Sequence, residues 1–530
     1  MRNFKRFFSM ILVFAMMACL FAGCSKPEET TAPTKVIQLP VVTKPATEPN
    51  ATEPGSSNGT QPSGEATKPA ETNPPTEPGT ITVEDIKGID GENGIIWVGN
   101  TAGTTGALAT IGAPFNLGIQ AAFEKYNAEG GFYGMKIQLK HYDDGGDAAQ
   151  SVTYMNQLVY DDEVFAIVGN FGSYAVASNL DILIDASVPM VYAAAGNDVL
   201  YNGNAEGGEK AIFPVQPLNH TEGQMLILRA FAPINEDNAT ASGMGATKVG
   251  VLTNTDEASQ TMLAGIQEEA NTSGLNSKIV YQNVTGDDYS AAINAFKNAG
   301  CDLIIIAVTG SYFTTALTAM DNAQLYVPVL TTYNNASANV LNDSGSTLLP
   351  QYESVLKNIP IFAQAWLDIT SEDYVYSNVD HGLYKAYFMF GMANDGGVPG
   401  FTEEYWHVAE TIFTYCQSQG RMDGFAMSYN SYALAGYIAG DLFCQGMEAL
   451  EASGKNVTRA NFIEVMESKE FKIAMADALS FANGMRSGVQ SFALTMFYDA
   501  FDYGGNKHAA SSVTVSGLIS MEEFRKLLKN

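Results

Sequence analysis

The chain has 530 residues, 46% of them hydrophobic, so it is long enough for two or three domains with sizeable cores. Acidic residues outnumber basic ones by 57 to 28, which gives a formal net charge of −29 at pH 7. A surface of that sign repels phosphate backbones. The composition therefore argues against nucleic-acid binding and is typical of a protein that stays soluble outside the cell.

Residues 1–24 have the features of a signal peptide. A basic start is followed by the apolar run Met10–Phe21, which is too short to span a bilayer comfortably. The run ends in Leu20-Phe-Ala-Gly-Cys24, which resembles the bacterial lipobox, in which the cysteine is diacylated. These features predict lipidation of Cys24 and attachment to the outer face of a membrane. The alternative is an ordinary signal peptide with an incidental cysteine.

Residues 25–93 differ sharply in composition from the rest of the chain. Proline, threonine, glutamate, serine and glycine dominate, and aromatic residues are absent. Such a segment has little apolar surface to bury against the entropy of ordering. It is therefore predicted to be a disordered tether, partly extended by its prolines.

The folded part of the chain shows alternating strand and helix patterns. Short apolar, β-branched runs predict buried strands, and apolar residues at helical spacing between them predict helices, the first of which is expected to open at Pro114. Two sets of such units predict parallel sheets covered by helices. The predicted strands are Ile95–Val98, Lys136–Tyr142, Val164–Val168 and Met190–Tyr192 in the first set, and Lys248–Thr253, Lys278–Tyr281, Cys301–Val308 and Val327–Thr331 in the second.

Residues 366–490 carry longer helical patterns, such as Ala426–Ala452, and Phe492–Tyr498 alternates as a late strand. In parallel α/β sheets, ligands bind at the carboxyl ends of the strands, where the strand order reverses. That rule points to three loops in the first set: Asn100–Gly106, Asn170–Tyr174 and Ala193–Gly196.

Four motifs follow one another across about 95–335. They are Gly103–Gly112, then Tyr126–Gly134 with Tyr142–Ala148, then Val168–Ser173 with Val188-Pro189, and finally Asp288–Ser290 with the strand that starts at Cys301. The first is close to a Leu-Thr-Gly-x-x-Ala-x-x-Gly family opening. Together, in this order, they resemble the solute-binding lipoproteins of ABC importers of the branched-chain amino acid type, the type I periplasmic binding proteins.

The resemblance implies an α/β fold of two doubly wound parallel-sheet lobes joined by three hinge crossings. The crossings are expected near Phe213–Pro217, Ile361–Trp366 and Gln490–Ala493. The first lobe would then comprise residues 94–214 and 366–490, and the second 215–365 and 491–530. Closure on a small ligand would present a surface to a membrane permease.

The resemblance also implies a set of ligand contacts. In the family, one lobe grips the carboxylate of the ligand with hydroxyls and backbone N–H groups. Ser173 matches that hydroxyl position at the start of a predicted helix, where the helix dipole favours an anion. Gly196 stands where the family often has a threonine. The first-lobe contacts expected on this basis are Thr104, Thr105, Ser173, Tyr174, Ala194 and Gly196.

The second lobe departs from the family pattern. The acidic residue that pairs with a ligand ammonium aligns with Tyr333, a tyrosine aligns with Ala258, and an aromatic contact aligns with Thr309. The second-lobe contacts expected are Thr309, Tyr333 and Asn334. The first-lobe residues expected to bind a carboxylate match the family pattern better than the second-lobe residues do. The ligand is therefore expected to be an amino acid or a related small anion.

Metal binding and catalysis find little support. The acidic turn Asp143-Asp144-Gly-Gly-Asp147 lacks the spacing and terminal glutamate of an EF-hand. The five cysteines form no CxxC pair, and no HExxH, GxSxG or P-loop motif occurs. His141 is expected to be a packed or solvent-facing histidine. The chain is therefore predicted to be neither an enzyme nor a metal or cofactor protein.

Two functions fit these expectations. In the first, the protein is a lipid-anchored uptake receptor that captures a small solute and passes it to the permease subunits of an ABC importer. In the second, the same fold senses a ligand or contacts surface molecules without transport. The long tether and the additional length in 335–425 favour the second. A hydrolase acting on an amide ligand is the weakest alternative.

Overall fold

The computed structural model describes residues 87–234, 243–343, 347–371, 400–428, 430–501 and 508–529. The predicted signal peptide, Cys24 and most of the predicted tether lie outside these residues. The end of the tether differs from expectation, because Ile89 and Asp90 pair as a short strand with Ile96 and Ile95. The Trp97 N–H also donates to the Gly88 carbonyl (2.7 Å), so regular structure begins before residue 94.

The strands follow one another along the whole described chain. They are β1 (Ile89–Asp90), β2 (Ile95–Ala102), β3 (Lys136–Asp143), β4 (Ala166–Val168), β5 (Met190–Val191), β6 (Ile212–Phe213), β7 (Val249–Asn254), β8 (Ile279–Val284), β9 (Leu303–Ile306), β10 (Val329–Thr331), β11 (Ile361–Ala365), β12 (Thr370–Ser371), β13 (Gly400–Phe401), β14 (Glu470–Phe471), β15 (Leu479–Ser480), β16 (Ser491–Phe501) and β17 (His508–Ser520).

The α-helices alternate with these strands and then dominate the later part of the chain. They are α1 (Ala109–Ala128), α2 (Ala148–Asn156), α3 (Ser173–Ala186), α4 (Asn219–Phe231), α5 (Glu257–Thr272), α6 (Ser290–Ala299), α7 (Ser311–Asn322), α8 (Glu353–Asn358), α9 (Glu403–Ser418), α10 (Gly424–Ser428), α11 (Ser431–Ser453), α12 (Arg459–Met466) and α13 (Met521–Leu527).

Two sheets carry the fold. In the first, the parallel strands lie in the order β3-β2-β4-β5-β6, with β1 antiparallel to β2. In the second, the parallel strands lie in the order β8-β7-β9-β10-β11, and the antiparallel hairpin β16–β17 extends the β11 edge. Both parallel parts have the doubly wound order 2-1-3-4-5, which confirms the predicted fold class. We call the two sheets with their helices the first and the second lobe.

The first helix begins earlier than the sequence pattern suggested. The prediction placed its start at Pro114, whereas α1 begins at Ala109 and contains that proline. A Cβ on Gly112 would lie 2.4 Å from the Gly103 carbonyl oxygen. The first turn is therefore held by close packing on the loop after β2, which a local pattern does not reveal.

Glycines bring pairs of helices into backbone contact in both lobes. A Cβ on Gly118 of α1 would lie 2.0 Å from the Ala433 carbonyl oxygen of α11, and one on Gly436 of α11 would lie 1.9 Å from that of Phe115. In the second lobe, a Cβ on Gly223 of α4 would lie 2.1 Å from the carbonyl oxygen of Met262 in α5. These contacts require glycine, since any side chain would force the helices apart.

The chain passes between the lobes three times. It leaves the first sheet after β6 and enters the second lobe at α4. It returns after β11, where Trp366 and Leu367 join the hydrophobic core of the first lobe. It leaves again before β16, where the Val489 N–H donates to the Val215 carbonyl (2.9 Å). The first and third crossings therefore run side by side.

Candidate ligand-binding site

Loops at the carboxyl ends of both sheets meet between the lobes. The Asn197 amide, in the loop after β5, donates to Oε1 of Glu257 at the start of α5 (3.3 Å). The Tyr333 hydroxyl, after β10, donates to the carbonyl of Pro217 in the first crossing (3.2 Å). These two contacts define a cleft whose walls come from different sheets, at the position where doubly wound folds bind ligands.

The loop after β2 is anchored to its own lobe. The Thr104 hydroxyl lies 3.0 Å from Nε2 of His141, whose Nδ1 lies 2.9 Å from Oδ1 of Asn100. Because the Asn100 amide nitrogen donates to Asn116 (2.7 Å), its oxygen accepts, and Nδ1 of His141 carries the proton. Burial lowers the pKa of His141 despite nearby carboxylates, so the ring is neutral at pH 7 and accepts from Thr104.

Asp143 holds the backbone of the same loop. Its Oδ1 accepts the N–H groups of Thr104 (2.9 Å) and Thr105 (3.3 Å). Burial opposes ionisation, but hydrogen bonds from Thr105, Gly145 and Thr104 lower the pKa of Asp143 to about 2. The acidic turn Asp143–Asp147 therefore anchors a loop. The backbone donors of the two threonines are engaged there, while the Thr105 side chain is exposed.

Helix α3 begins at the cleft with an open N-terminus. Ser173 is its first residue and is exposed, and no side chain caps the helix at Gly172, whose φ is +98°. Uncapped first-turn N–H groups and the helix dipole favour an anion. The hydroxyl of Tyr174 is turned away to donate to Oδ1 of Asp144 (2.9 Å). Of these two predicted contacts, the Ser173 hydroxyl is the one without a hydrogen-bond partner among the described residues.

The loop after β5 supplies the next two predicted residues. The Ala194 N–H donates to Asn170 (2.9 Å) and its carbonyl accepts from Gly172 (3.1 Å), so both of its backbone groups bind within the lobe. Gly196 is buried, and a Cβ there would lie 2.6 Å from Oδ1 of Asn219 and 3.2 Å from the Tyr333 hydroxyl. The threonine of the family pattern does not fit at this position.

Tyr333 crosses from the second lobe to the hinge. Its N–H and the Thr332 hydroxyl donate to the carboxylate of Glu222 (2.6 and 2.8 Å), which is fully buried in α4. Burial raises the pKa of Glu222 to about 8, although both hydrogen bonds oppose the shift. Burial and the nearby carboxyl of Glu222 raise the pKa of Tyr333 further above its ordinary range. The phenol therefore stays neutral and donates to Pro217.

The other two predicted residues of the second lobe lie at its surface. Thr309, after β9, is half-buried, and its hydroxyl has no hydrogen-bond partner among the described residues. Asn334 is exposed and hydrogen-bonds Thr332 through its own N–H (3.1 Å). Among the nine predicted residues, Gly196 and Tyr333 are brought together across the cleft.

An aromatic chain runs beside these loops from the hinge to the rim of the first lobe. Neighbouring ring centroids are 6.3 Å apart for Trp366 and Tyr192, 5.8 Å for Tyr192 and Phe115, 5.1 Å for Phe115 and Phe171, and 6.5 Å for Phe171 and Tyr432. Tyr432 is 40% exposed, whereas Tyr192 is 1% exposed. Trp366, Tyr192 and Phe115 are buried, so the row of rings reaches the surface at its Tyr432 end.

Sequence reasoning missed Phe115, Phe171, Tyr432, Asn197 and Glu257. Phe171 lies inside the predicted loop Asn170–Tyr174, so the sequence was sufficient to identify it as a candidate site residue. Glu257 directly precedes Ala258, the position that departs from the family tyrosine. Asn197 and Glu257 are 60 residues apart, and no local pattern relates them.

Two further grooves lie away from the predicted residues. One, of about 570 Å³, lies between the end of α4 and α13 and is lined by Phe231, Lys278 and Leu527. The other, of about 390 Å³, lies between the start of α1 and Arg421. Within the described ranges, no helix has the length and hydropathy of a membrane span, and no three His, Cys, Asp or Glu side chains are grouped to hold a metal ion.

Comparison with known proteins agrees with this layout. Residues 96–346 match the family model described as periplasmic binding protein. Over these residues, just under half of the chain, the sequence is similar to that family. It is similar to the Leu/Ile/Val-binding protein homolog 2 of Brucella abortus (strain 2308), with 25% identity over 219 residues, which are 39% of this chain and 53% of that protein. The chain thus spans about half the length of the curated relative it matches.

Solved structures share the fold. A fatty acid ABC transporter substrate-binding protein from Thermomonospora curvata superposes with a TM-score of 0.56 at 15% identity, covering 85% of this chain and 97% of its own. An ABC transporter solute-binding protein from Rhodopseudomonas palustris BisB5, in complex with 3,4-dihydroxybenzoic acid, gives 0.52 at 15% identity, covering 81% and 98%. Both describe periplasmic binding protein architecture.

Proposed function

We propose that the protein is an extracytoplasmic solute receptor, lipid-anchored at Cys24, that closes two lobes around a small ligand and delivers it to the permease subunits of an ABC importer. The single observation that carries this proposal is the meeting of loops from both sheets, at Asn197 with Glu257 and at Tyr333 with Pro217. The similarity to ABC substrate-binding proteins supports it. Closure about three crossings is the motion expected of such a hinge.

We infer that the ligand is an amino acid or a related small anion. The uncapped N-terminus of α3, with the exposed hydroxyl of Ser173, provides donors and a favourable dipole for a carboxylate. The half-buried hydroxyl of Thr309 has no hydrogen-bond partner among the described residues and would complete the polar contacts from the second lobe. The aromatic chain that ends at Tyr432 suits an apolar ligand body. Thr104, Thr105, Tyr174, Ala194, Gly196, Tyr333 and Asn334 would shape the loops around it.

Native mass spectrometry of the purified full-length protein tests the proposal directly. We expect a co-purified small molecule, which is then identified by fragmentation and titrated back onto ligand-free protein. Small-angle scattering should show a smaller radius of gyration with ligand, because the lobes close. If a broad screen of small solutes produced no binding and no change in scattering, the receptor proposal would be rejected.

The sensing alternative needs a separate measurement. The length of the tether and the additional length in 335–425 favour it. Uptake of the isotopically labelled ligand by cells with and without the gene separates the two. Loss of uptake in the deletion strain supports delivery to an importer. Unchanged uptake together with a lost response to the ligand supports sensing.

A further inference from the structure

The groove between the end of α4 and α13 lies in the second lobe, away from the cleft. Its volume is about 570 Å³, and the segments before β7 and after α5 complete its walls. Helix α4 begins at Asn219, which lies beside Gly196 in the cleft, and ends at Phe231 in the groove. Its 13 residues, at about 1.5 Å each, place the two ends roughly 18 Å apart. The groove is therefore separate from the loops that carry the predicted ligand contacts.

The walls of the groove are mainly apolar and continue into the core of the second lobe. Phe231 and Leu275 belong to that core and are 8% and 7% exposed, and the partly buried Ala246 and Leu528 pack against it. Ile234, on the rim, is 62% exposed. An apolar recess of this volume falls in the range of about 300–1,000 Å³ that is typical of small-molecule sites. The remaining lining residues are Pro233, Gly245, Ser273, Lys278 and Leu527.

Lys278 is the one charged side chain among the described residues that line the groove. Its Nζ lies 5.7 Å from the ring centroid of Phe231, and within the described part of the chain it has no ion-pair partner. The carboxylate of Glu269, which accepts from the Ser273 hydroxyl (2.7 Å), is already paired with Arg525 (2.6 Å). In a chain with a net charge of −29, the groove thus combines apolar walls with an unpaired positive charge.

We propose that this groove is a second ligand site, which binds a small soluble amphiphile with one negative charge. The carboxylate or phosphate group of the ligand pairs with the Lys278 ammonium, and its hydrocarbon part packs on Phe231 and Leu528. A cationic amphiphile is repelled by Lys278, and an uncharged one leaves the ammonium without a counter-charge. The inference goes beyond the proposed function, because the groove lies outside the cleft.

The test compares probes that share one alkyl chain and differ in charge. The purified full-length protein is titrated calorimetrically with decanoate, decan-1-ol and decyltrimethylammonium. We expect decanoate to bind, the cation to bind at least about 10-fold more weakly, and the affinity for decanoate to fall as the ionic strength rises. Equal affinity for decanoate and the cation, or no binding of decanoate, would overturn the inference while leaving the receptor proposal intact.

Two variants locate the binding in the groove rather than in the cleft. Lys278→Gln should weaken decanoate binding about 3- to 10-fold and leave the affinity for decan-1-ol unchanged, because it removes only the charge. Ile234→Asp places a negative charge on the exposed rim and should also weaken decanoate binding. Lys297→Gln is the matched control, since Lys297 is an exposed lysine of the same lobe outside the lining. Decanoate binding that neither Lys278→Gln nor Ile234→Asp affects would belong to another site and would overturn the inference.

A second measurement separates a soluble ligand from a membrane lipid. Wild type and Lys278→Gln are sedimented with phosphatidylglycerol vesicles, and we expect the same bound fraction for both. Vesicle binding that depends on Lys278, in a protein that does not bind decanoate, would assign the groove to the membrane and contradict the proposed soluble ligand.

Discussion

A Cβ built on Gly196 would lie 3.2 Å from the hydroxyl oxygen of Tyr333. One residue belongs to the first lobe and the other to the second, so the missing side chain of Gly196 makes room for the phenol across the cleft. The family pattern has a threonine at the first position and an acid at the second. Gly196 and Tyr333, which both differ from the family pattern, therefore alter the same contact between the lobes beside the hinge.

Gly196→Ala tests this relationship. The new methyl group would also meet Asn219 at 2.6 Å, so we expect a loss of stability of about 1–3 kcal/mol, typical of overpacking. Adding Tyr333→Phe removes the hydroxyl, and the double variant should lose less than the sum of the single losses in urea unfolding. Gly203→Ala is the control, since its Cβ would meet only the Tyr201 hydroxyl at 3.6 Å. Equal losses for Gly196→Ala and the control would contradict the proposed crowding.

The buried carboxyl of Glu222 predicts a pH dependence of stability. Burial raises the pKa of Glu222 from 4.5 to about 8, so the folded state binds this proton more tightly than the unfolded state. Its contribution to stability is complete below about pH 4.5 and is lost as the pH rises towards 8. In Glu222→Gln this term is absent. We expect the unfolding free energy of the variant, relative to wild type, to rise by about 1.4 kcal/mol per pH unit across that window.

Urea unfolding between pH 5 and 9 measures this difference. The amide of the glutamine variant can still accept from Tyr333, so a loss of fold is not expected. Glu353→Gln, an exposed helix-start position in the same lobe, should show the same pH profile as wild type. Parallel pH profiles for wild type and Glu222→Gln would show that the carboxyl is not protonated in the folded state.

Ser173→Ala tests the anion grip. If the hydroxyl donates to a ligand carboxylate, its loss should weaken binding about 10- to 100-fold, the usual range for a hydrogen bond to a charged group. Ser173 is exposed, so the melting temperature without ligand should not change. Ser178→Ala, on the same helix, removes a hydroxyl that donates to the Tyr174 carbonyl (2.8 Å) and should not affect affinity. Unchanged binding by Ser173→Ala would remove this residue from the site.

Cys24→Ala tests the predicted anchor. Without its thiol the residue cannot be diacylated, so we expect the protein to move from the membrane fraction to the medium or periplasm. Labelling with radioactive palmitate should mark the wild type and not the variant. Cys301→Ala is the control, since that cysteine is buried in the folded body. Membrane retention of Cys24→Ala would show that another feature holds the protein there.

The periodic elements were largely readable from sequence, and the exceptions have physical causes. Parallel strands buried on both faces give continuous apolar runs, so β2, β7 and β9 were found close to their observed positions. The predicted helix Ala426–Ala452 is instead two helices. The side chain of Asn430 accepts the N–H groups of Tyr432 and Ala433 and starts α11 anew. An N-cap residue such as Asn430 leaves the periodic spacing of the apolar residues unchanged, so the pattern alone predicts a single helix.

Part of the candidate site could also be predicted from the sequence, for a similar reason. Loops such as Asn170–Tyr174 follow strands directly, and strand order places them at the cleft. Whether the polar groups of these loops are already hydrogen-bonded within the protein depends on residues that are distant in sequence. The backbone of Thr104 is occupied by Asp143, and Tyr333 is oriented by Glu222, which is 111 residues away in sequence. Local spacing carries no information about such partners.

The backbone contact between α1 and α11 has a consequence for export. Gly118 and Gly436 bring these helices together, yet more than 300 residues separate them, including residues 215–365 of the second lobe. In the proposed export from the N-terminus, α1 therefore emerges long before its partner helix. During that interval the apolar face of α1, including Phe115, lacks its cover. An apolar helix face left exposed in this way is prone to aggregation until its partner helix has been made.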